Sequence, residues 1–152
     1  MLVNEIMKKD VATCVPSDDL AKATKIMHDR QCGFLPVVAS DGAVAGVLTD
    51  RDICVRAAET PRSLGHLAVR DTMSHPVFSC LPEDNVKGAI SMMATHHVHR
   101  LPVIDKAGHL KGVLSIDDVV EAPHHRGAPT AQEIVAALKG INAPKKIETV
   151  MA

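Results

Sequence analysis

Two stretches of the sequence, GVLTDRDI and GVLSIDDV, carry a hydroxyl side chain three positions before an aspartate: Thr49 before Asp52, and Ser115 before Asp118. At the start of a helix such a hydroxyl accepts a backbone N–H and the acidic residue bonds back, which makes a plain helix cap. The same corner also suits a nucleotide, because free backbone amides attract phosphate and a carboxylate can accept both hydroxyls of a ribose. Taken singly, each pattern leaves both interpretations open.

The two stretches belong to an internal duplication of the sequence. When the chain is shifted by 66 positions, the distance from Met7 to Met73, LPVV falls on LPVI and each GVL falls on the other. The match runs without a gap from Val3 to Val120. Such self-similarity indicates two copies of one structural unit.

Each copy predicts the element order β-α-β-β-α. A short strand is expected near residues 11–15 and 77–81, followed by a helix, two β-rich runs joined by a turn, and a second helix beginning at Thr49 or Ser115. One such unit cannot bury both faces of its sheet, so the two copies should pack on each other.

A further helix is predicted after the second copy. The stretch TAQEIVAALKGI begins with a capping box of Thr130 and Glu133. Its apolar residues Ile134, Val135 and Leu138 predict one buried stripe.

The order of these features, found twice, resembles a tandem pair of cystathionine-β-synthase (CBS) domains, a Bateman module, over about residues 3–120. The length of the chain is similar to that of small bacterial proteins that are little more than a CBS pair. The resemblance implies an α/β fold in which two β-α-β-β-α repeats pack with pseudo-two-fold symmetry, followed by a short C-terminal helix. The expected divisions are a first repeat with N-terminal segment and connection (1–66), a second repeat (67–122) and a C-terminal extension with one helix (123–152).

The resemblance also implies two related ligand clefts, because CBS pairs bind adenosyl compounds between the repeats. Such ligands are AMP, ADP, ATP, S-adenosylmethionine and sometimes NAD. The family's ribose-binding aspartate corresponds to Asp52 and to Asp118, and the hydroxyl before it to Thr49 and to Ser115. We name the two sites the Asp52 cleft and the Asp118 cleft.

In the family each cleft takes its aspartate from one repeat and its adenine wall from the other. The implied wall of the Asp52 cleft is Ser79, Cys80, Leu81, Val98, His99 and Pro102. The implied wall of the Asp118 cleft is Thr13, Cys14, Val15, Cys32, Gly33 and Pro36.

The resemblance predicts that the two clefts differ in charge. His99 and Arg100 resemble family positions that touch phosphates, and Arg51 lies beside the Asp52 cleft, whereas the first repeat has GFLPV in place of HRLPV. Asp117 adds negative charge next to Asp118. The Asp52 cleft is therefore expected to favour phosphate, and the Asp118 cleft an uncharged or weakly charged adenosyl ligand or none.

Composition argues against several classes of function. The formal net charge of −1 and the 1% aromatic content speak against nucleic acid as a partner, because such sites need basic surfaces or aromatic stacking platforms. No apolar run is long enough for a membrane span and the N-terminus lacks a signal-peptide core, so a cytoplasmic location is expected. No motif of a nucleophile, P-loop or zinc protease is present, which predicts that the chain is not an enzyme and has no catalytic cofactor.

Two other readings of the sequence remain open. The chain has nine histidines, and HHVH at residues 96–99 could hold a metal ion together with cysteines or with His124 and His125, although the spacing matches no recognised zinc pattern. Alternatively, the chain is a structural or interaction dimer with vestigial clefts. Cys14 and Cys80 are expected to be equivalent core residues rather than a redox switch.

The resemblance favours a regulatory module. A small adenine nucleotide would bind between the repeats, change their arrangement and thereby signal to an unidentified protein target. The aliphatic helix stripes of both repeats predict a homodimer, since in the family these helices pair two modules into a flat disc.

Overall fold

The computed structural model describes residues 1–122 and 127–145. Two 3₁₀ turns lie in the connection between the repeats, at Leu64–His66 and Val69–Asp71. The helices and strands, in chain order, are α1 (Val3–Ile6), α2 (Leu20–Asp29), β1 (Phe34–Val38), β2 (Val44–Thr49), α3 (Asp50–Glu59), α4 (Val86–His96), β3 (Arg100–Ile104), β4 (Leu110–Ser115), α5 (Ile116–Glu121) and α6 (Ala131–Ile141).

The two repeats form matching antiparallel hairpins. β1 pairs with β2 from Phe34 opposite Thr49 to Val38 opposite Val44, and β3 pairs with β4 in the same register 66 positions later. Both hairpins carry an irregularity at the same place, just before the last pair. The predicted α/β fold of two repeats is confirmed, with two small antiparallel sheets rather than one continuous sheet.

The strand predicted at the start of each repeat is only one residue long. Cys14 forms a single parallel bridge to Val37, and its equivalent Cys80 bridges Val103. The ladder stops there because the next N–H, that of Val15, donates to the carboxylate of Asp18, and the following residue is a proline without an N–H. In the second repeat the N–H of Leu81 donates to Asp84 in the same way.

The segment that precedes each repeat packs on the other repeat, and we call residues 1–8 and 64–74 the crossed segments. Lys8 exchanges two backbone hydrogen bonds of 2.9 Å with Val113 in β4. Its equivalent Ser74 exchanges bonds of 2.8 and 3.2 Å with Val47 in β2. The buried side chains follow the same exchange. Val3 lies in the core of the second repeat, and its equivalent Val69 lies in the core of the first.

The glycine of each GVL motif lets the crossed segments approach. A Cβ on Gly112 would lie 2.5 Å from the carbonyl oxygen of Lys8, and one on Gly46 would lie 2.6 Å from the Met73 sulfur. A side chain at Gly112 would therefore displace the backbone of the segment that pairs with β4, whereas one at Gly46 would first displace the Met73 side chain, with the Ser74 carbonyl oxygen 3.2 Å away. The repeated GVL thus marks a close contact between each strand and its crossed segment.

The local two-fold axis passes between the two hairpin turns. Ala43 and His109, which are equivalent in the repeat, bridge each other, and the Val44 N–H donates to the Gly108 carbonyl at 3.1 Å. Each repeat otherwise keeps its own aliphatic core, with Leu35 and Leu48 fully buried in the first.

Helix α6 covers the outer face of the second repeat. It packs against α4 and α5, and a Cβ on Gly140 would lie only 2.7 Å from the Cβ of Ala94. Its buried stripe is Ile134, Ala137 and Ile141. The predicted stripe was wrong at Val135, which is 50% exposed, because the helix turns that position away from α4.

No helix in the described part of the chain covers the corresponding face of the first repeat as α6 covers the second. A cavity of ≈ 720 Å³ lies there between α2 and α3, lined among others by Thr24, Met27 and Ile53. The equivalents of these three residues are Ile90, Met93 and Val119, which are buried in one cluster with α6. We call the open face the α2–α3 groove.

Candidate functional site

The hydroxyl and aspartate of both repeats form capping boxes at the start of α3 and α5. Thr49 Oγ1 accepts from the Asp52 N–H at 3.1 Å, and Asp52 Oδ2 accepts from the Thr49 N–H at 2.9 Å. In the second repeat Ser115 and Asp118 form the same pair, with distances of 3.1 and 2.7 Å. The plain structural interpretation is therefore correct in both copies, and a ligand could use only the acceptor positions that the caps leave open.

The two aspartates differ in how much of the carboxylate is left open. Among the described residues, Asp52 Oδ1 has no donor. Asp118 Oδ2 accepts a second bond from the Ser115 hydroxyl at 2.6 Å, and its Oδ1 lies 3.1 Å from Lys8 Nζ. The first carboxylate is thus held in place but open, whereas the second is surrounded by donors.

Lys8 is a charged residue at the site that sequence reasoning missed. The signal was present, because Lys8 and Ser74 are equivalent and stand just before their repeats. What the pattern could not indicate is that each segment crosses to the other repeat.

Asp52 lines a cavity of ≈ 250 Å³ between α3 and the connection, whose walls are Arg51, Asp52, Val55, Arg56, Glu59, Asp71 and Thr72. The Nε of Arg56 is buried and has no hydrogen-bond partner in the part of the chain that the structure describes. Of the residues predicted for this cleft, only Arg51 and Asp52 line the cavity.

His99 and Arg100 lie beside the start of α5 in their own repeat. The His99 carbonyl accepts from the Ile116 N–H at 3.0 Å, and Arg100 Nη2 is 4.0 Å from Asp117 Oδ2. Both partners of this ion pair are accessible to solvent, so it contributes little to stability. The charge of Asp117 nevertheless has a cation beside it, which the sequence argument did not foresee.

The predicted adenine walls are partly core. Pro36 and Pro102 are buried within β1 and β3, and Val98 packs half-buried on the second core. Cys32 and Gly33 line the α2–α3 groove with Asp50 of the same repeat. The remaining wall residues range from half-buried (Thr13, Ser79, Leu81) to exposed (Val15, His99).

Cys14 and Cys80 are buried in the cores of their repeats, at 2% and 3% exposure. Burial raises the pKa of both thiols to about 12, with the nearby carboxylates of Asp18 and Asp84 adding to the effect. A thiol with so high a pKa is not a nucleophile near neutral pH. The structure thus supports the interpretation of these cysteines as core residues.

The histidine cluster makes other contacts than those of a metal site. The ring of His96 stacks on Phe78 with centroids 3.7 Å apart. His97 ends α4 in the left-handed conformation, with φ of 54°. Within residues 1–122 and 127–145 no three His, Cys, Asp or Glu side chains are placed to hold a metal ion, while His124 and His125 lie outside the described residues.

Among the helices of the described ranges, none has both the length and the apolar character that a membrane crossing needs.

Known proteins of the same architecture match the whole tandem unit. The chain is 33% identical over 117 residues to the CBS domain-containing protein YhcV of Bacillus subtilis, covering 77% of this chain and 81% of YhcV. It superposes with a TM-score of 0.75 on the CBS domain protein TA0289 of Thermoplasma acidophilum, at 21% identity over 91% of this chain and 76% of that one. The CBS domain protein PAE2072 of Pyrobaculum aerophilum, solved in complex with AMP, gives a TM-score of 0.72 at 23% identity, over 80% and 92%.

The family comparison divides the chain as the duplication does. The CBS domain family matches residues 3–59 and again residues 69–125. The chain therefore belongs to the CBS domain family, as a tandem CBS pair.

Proposed function

We propose that the protein is a regulatory module that binds an adenosyl nucleotide, of the AMP, ADP, ATP or NAD type, and signals its level to a protein target. The observation that carries the proposal is the open Oδ1 of Asp52. The cap with Thr49 fixes the orientation of this carboxylate, and no described residue donates to the oxygen. Ribose hydroxyls are donors of the kind that such an oxygen accepts.

Two guanidinium groups beside Asp52 are the features that favour a phosphorylated ligand. Arg51 and Arg56 line the same cavity, together with the carboxylates of Glu59 and Asp71, and guanidinium groups bind phosphate oxygens in a well-defined geometry. That PAE2072 was solved with AMP supports an adenosyl ligand by analogy of fold. The wall residues that the family resemblance implies for the two clefts are proposed here as ligand contacts.

The ligand would act by a shift of population between two arrangements of the repeats. The crossed segments link the two repeats. A ligand that binds between the repeats would therefore favour one of their relative arrangements over another. A sensor of cellular nucleotides needs micromolar to millimolar affinity, on the order of −8 to −4 kcal/mol. In this proposal the protein acts in the cytoplasm, performs no catalysis and uses no catalytic cofactor.

Calorimetric titration of Asp52→Asn tests the proposal. Asparagine keeps an oxygen for the Thr49 N–H but places an amide group at the ribose position, so binding of AMP or ATP at that cleft should weaken about tenfold or more. Asp41→Asn is the matched control, because among the described residues this exposed turn carboxylate accepts only the nearby Ala43 N–H, and the variant should bind nucleotide like the wild type.

Titration with AMP, ATP, NAD, S-adenosylmethionine and zinc separates the alternatives. Zinc binding without nucleotide binding would favour a metal-responsive module. A wild-type protein that binds none of them would favour a structural dimer with vestigial clefts.

We also propose that the protein forms a homodimer through the α2–α3 groove. The second repeat covers its equivalent face with its own α6, so its apolar stripe is used within the chain. The homodimer contact is therefore assigned to the first repeat alone, rather than to the helices of both repeats.

A further inference from the structure

The carboxylate of Asp118 is closed by the chain itself. Its Oδ2 accepts from both the N–H and the hydroxyl of Ser115, at 2.7 and 2.6 Å, and its Oδ1 lies 3.1 Å from Lys8 Nζ. A carboxylate has about four acceptor positions, and a ribose diol needs two of them. With three positions used, Asp118 cannot accept both ribose hydroxyls while Lys8 stays in place.

Lys8 combines a hydrogen-bonded backbone with an exposed side chain. Its N–H and carbonyl are both paired with Val113 at 2.9 Å, and Gly112 leaves room for this close approach. The Lys8 side chain is 68% exposed, whereas that of Asp118 is 5% exposed. The ammonium can therefore leave the carboxylate and turn to another anion without any change in the backbone.

The first repeat has no such arrangement. Ser74 occupies the position equivalent to Lys8, paired with Val47, and brings no charge to Asp52. The difference in cationic partner between the two aspartates thus comes from the crossed segments, while the extra bond from the Ser115 hydroxyl to Asp118 comes from the second repeat itself.

We propose that Lys8 is a charge-selective latch that makes the Asp118 cleft specific for phosphorylated ligands. Without ligand, the ammonium neutralises the buried carboxylate. An incoming nucleotide replaces it with ribose hydroxyls and gives the ammonium a phosphate as its new partner. An uncharged nucleoside offers no such partner, so its binding leaves the Asp118 charge buried and without its cation, which is unfavourable.

This inference rests on the proposed function for the adenosyl part of the ligand, and it reverses the ligand preference expected for this cleft from the sequence. In the resulting protein the Asp52 cleft accepts adenosyl ligands with or without phosphate. The Asp118 cleft accepts only those that carry an anionic group within reach of Lys8.

The test compares AMP with adenosine in the Asp52→Asn background, where binding at the Asp52 cleft is weakened and the Asp118 cleft dominates the titration. Adding Lys8→Met removes the charge and keeps both the backbone pairing and a stem of similar length. Adding Lys9→Met is the matched control, since this neighbouring lysine is exposed and has no described ion pair. Calorimetry at low and high salt measures both affinities, and thermal unfolding confirms that each variant is folded.

We expect the Asp52→Asn protein and its Lys9→Met derivative to bind AMP about tenfold more tightly than adenosine, as for the loss of one charged hydrogen bond. Lys8→Met should abolish this preference by weakening AMP and strengthening adenosine, and it should flatten the salt dependence. An equal preference in the Lys8 and Lys9 variants would overturn the latch. So would an Asp52→Asn protein that binds neither ligand while the wild type binds AMP, although the proposed function would then stand.

A second measurement does not depend on adenosyl binding. The NMR signal of the Lys8 side chain, assigned with Lys8→Met, should move in Asp118→Asn without ligand and should move in the wild type when pyrophosphate is added. If the wild type binds no adenosyl compound but shows both changes, the proposed function fails and the latch stands as an anion contact. If neither change occurs, the latch itself is overturned.

Discussion

Lys8 and Ser74 occupy equivalent places in the two repeats, and each pairs through its backbone with the inner strand of the repeat that it does not precede. The exchange makes each small sheet depend on a segment from the other half of the chain. Because of this exchange, Lys8 lies beside Asp118 of the second repeat, and Ser74 pairs with β2 of the first.

The close approach of the crossed segments predicts that Gly112→Ala is destabilising. The new Cβ would meet the Lys8 carbonyl at 2.5 Å, and relief of such overpacking costs about 1–3 kcal/mol. Urea unfolding measures the loss of stability. Gly88→Ala is the control, because nothing lies within 4 Å of its Cβ position in α4 and the change should stabilise that helix by about 0.5–1 kcal/mol. Equal effects of the two substitutions would contradict the contact.

The packing of α6 predicts that substitutions at two neighbouring apolar residues change the free energy of unfolding by very different amounts. Ile134→Ala removes a side chain that is 7% exposed and should lower the free energy of unfolding by about 2–3 kcal/mol. Val135→Ala changes a half-exposed side chain and should alter it by less than about 0.5 kcal/mol. Chemical denaturation distinguishes them, and a larger loss for Val135→Ala would mean that α6 packs by its other face.

The open α2–α3 groove predicts where self-association is disrupted. Thr24→Arg places a bulky charge in the groove and should convert a dimer into a monomer in sedimentation experiments. Val135→Glu, on the outer face of α6, should leave the dimer intact. A wild type that is monomeric at high concentration, or a dimer lost only in Val135→Glu, would refute this interface.

Asp105 predicts a change of stability in acid. The backbone N–H of His109 and the ammonium of Lys111 lower the pKa of this carboxyl to about 2. A lowered pKa in the folded state means that the stabilisation is complete above about pH 4 and is lost as the pH falls toward 2. Asp105→Asn should therefore be less stable than the wild type at pH 7, and the two unfolding free energies should approach each other as the pH falls through about 2. A difference at pH 2 as large as that at pH 7 would show that the charge is not its cause.

Local patterns predicted most of the fold, because the relevant interactions lie close together in the sequence. The capping boxes at Thr49 and Ser115, the two hairpins and the start of α6 all follow from residues within a few positions of one another. Because the duplication implies the same structure for both halves, each local pattern that occurs at equivalent positions of the two halves supports the same prediction twice.

The crossed segments could not be predicted in the same way. Residues 1–8 could pack on the first repeat and residues 64–74 on the second without changing any local sequence pattern. The sequence therefore does not indicate on which repeat Lys8 lies. The same holds for Arg56, whose buried Nε depends on packing of α3 against the connection. Val135 was misplaced because periodicity defines an apolar face only to within one or two positions.

The crossed segments also predict that the two repeats fold one after the other. The first repeat finds its missing segment in the connection that follows it directly, so its contacts are local in the chain. The second repeat needs the very first residues, and closing that long loop carries a larger entropic penalty. We expect pulsed hydrogen exchange to protect Leu48 in β2 before Leu114 in β4, and simultaneous protection would contradict this order. A chain divided at the connection would leave one half without its closing segment, so we expect the duplicated units to fold as a single interdependent body.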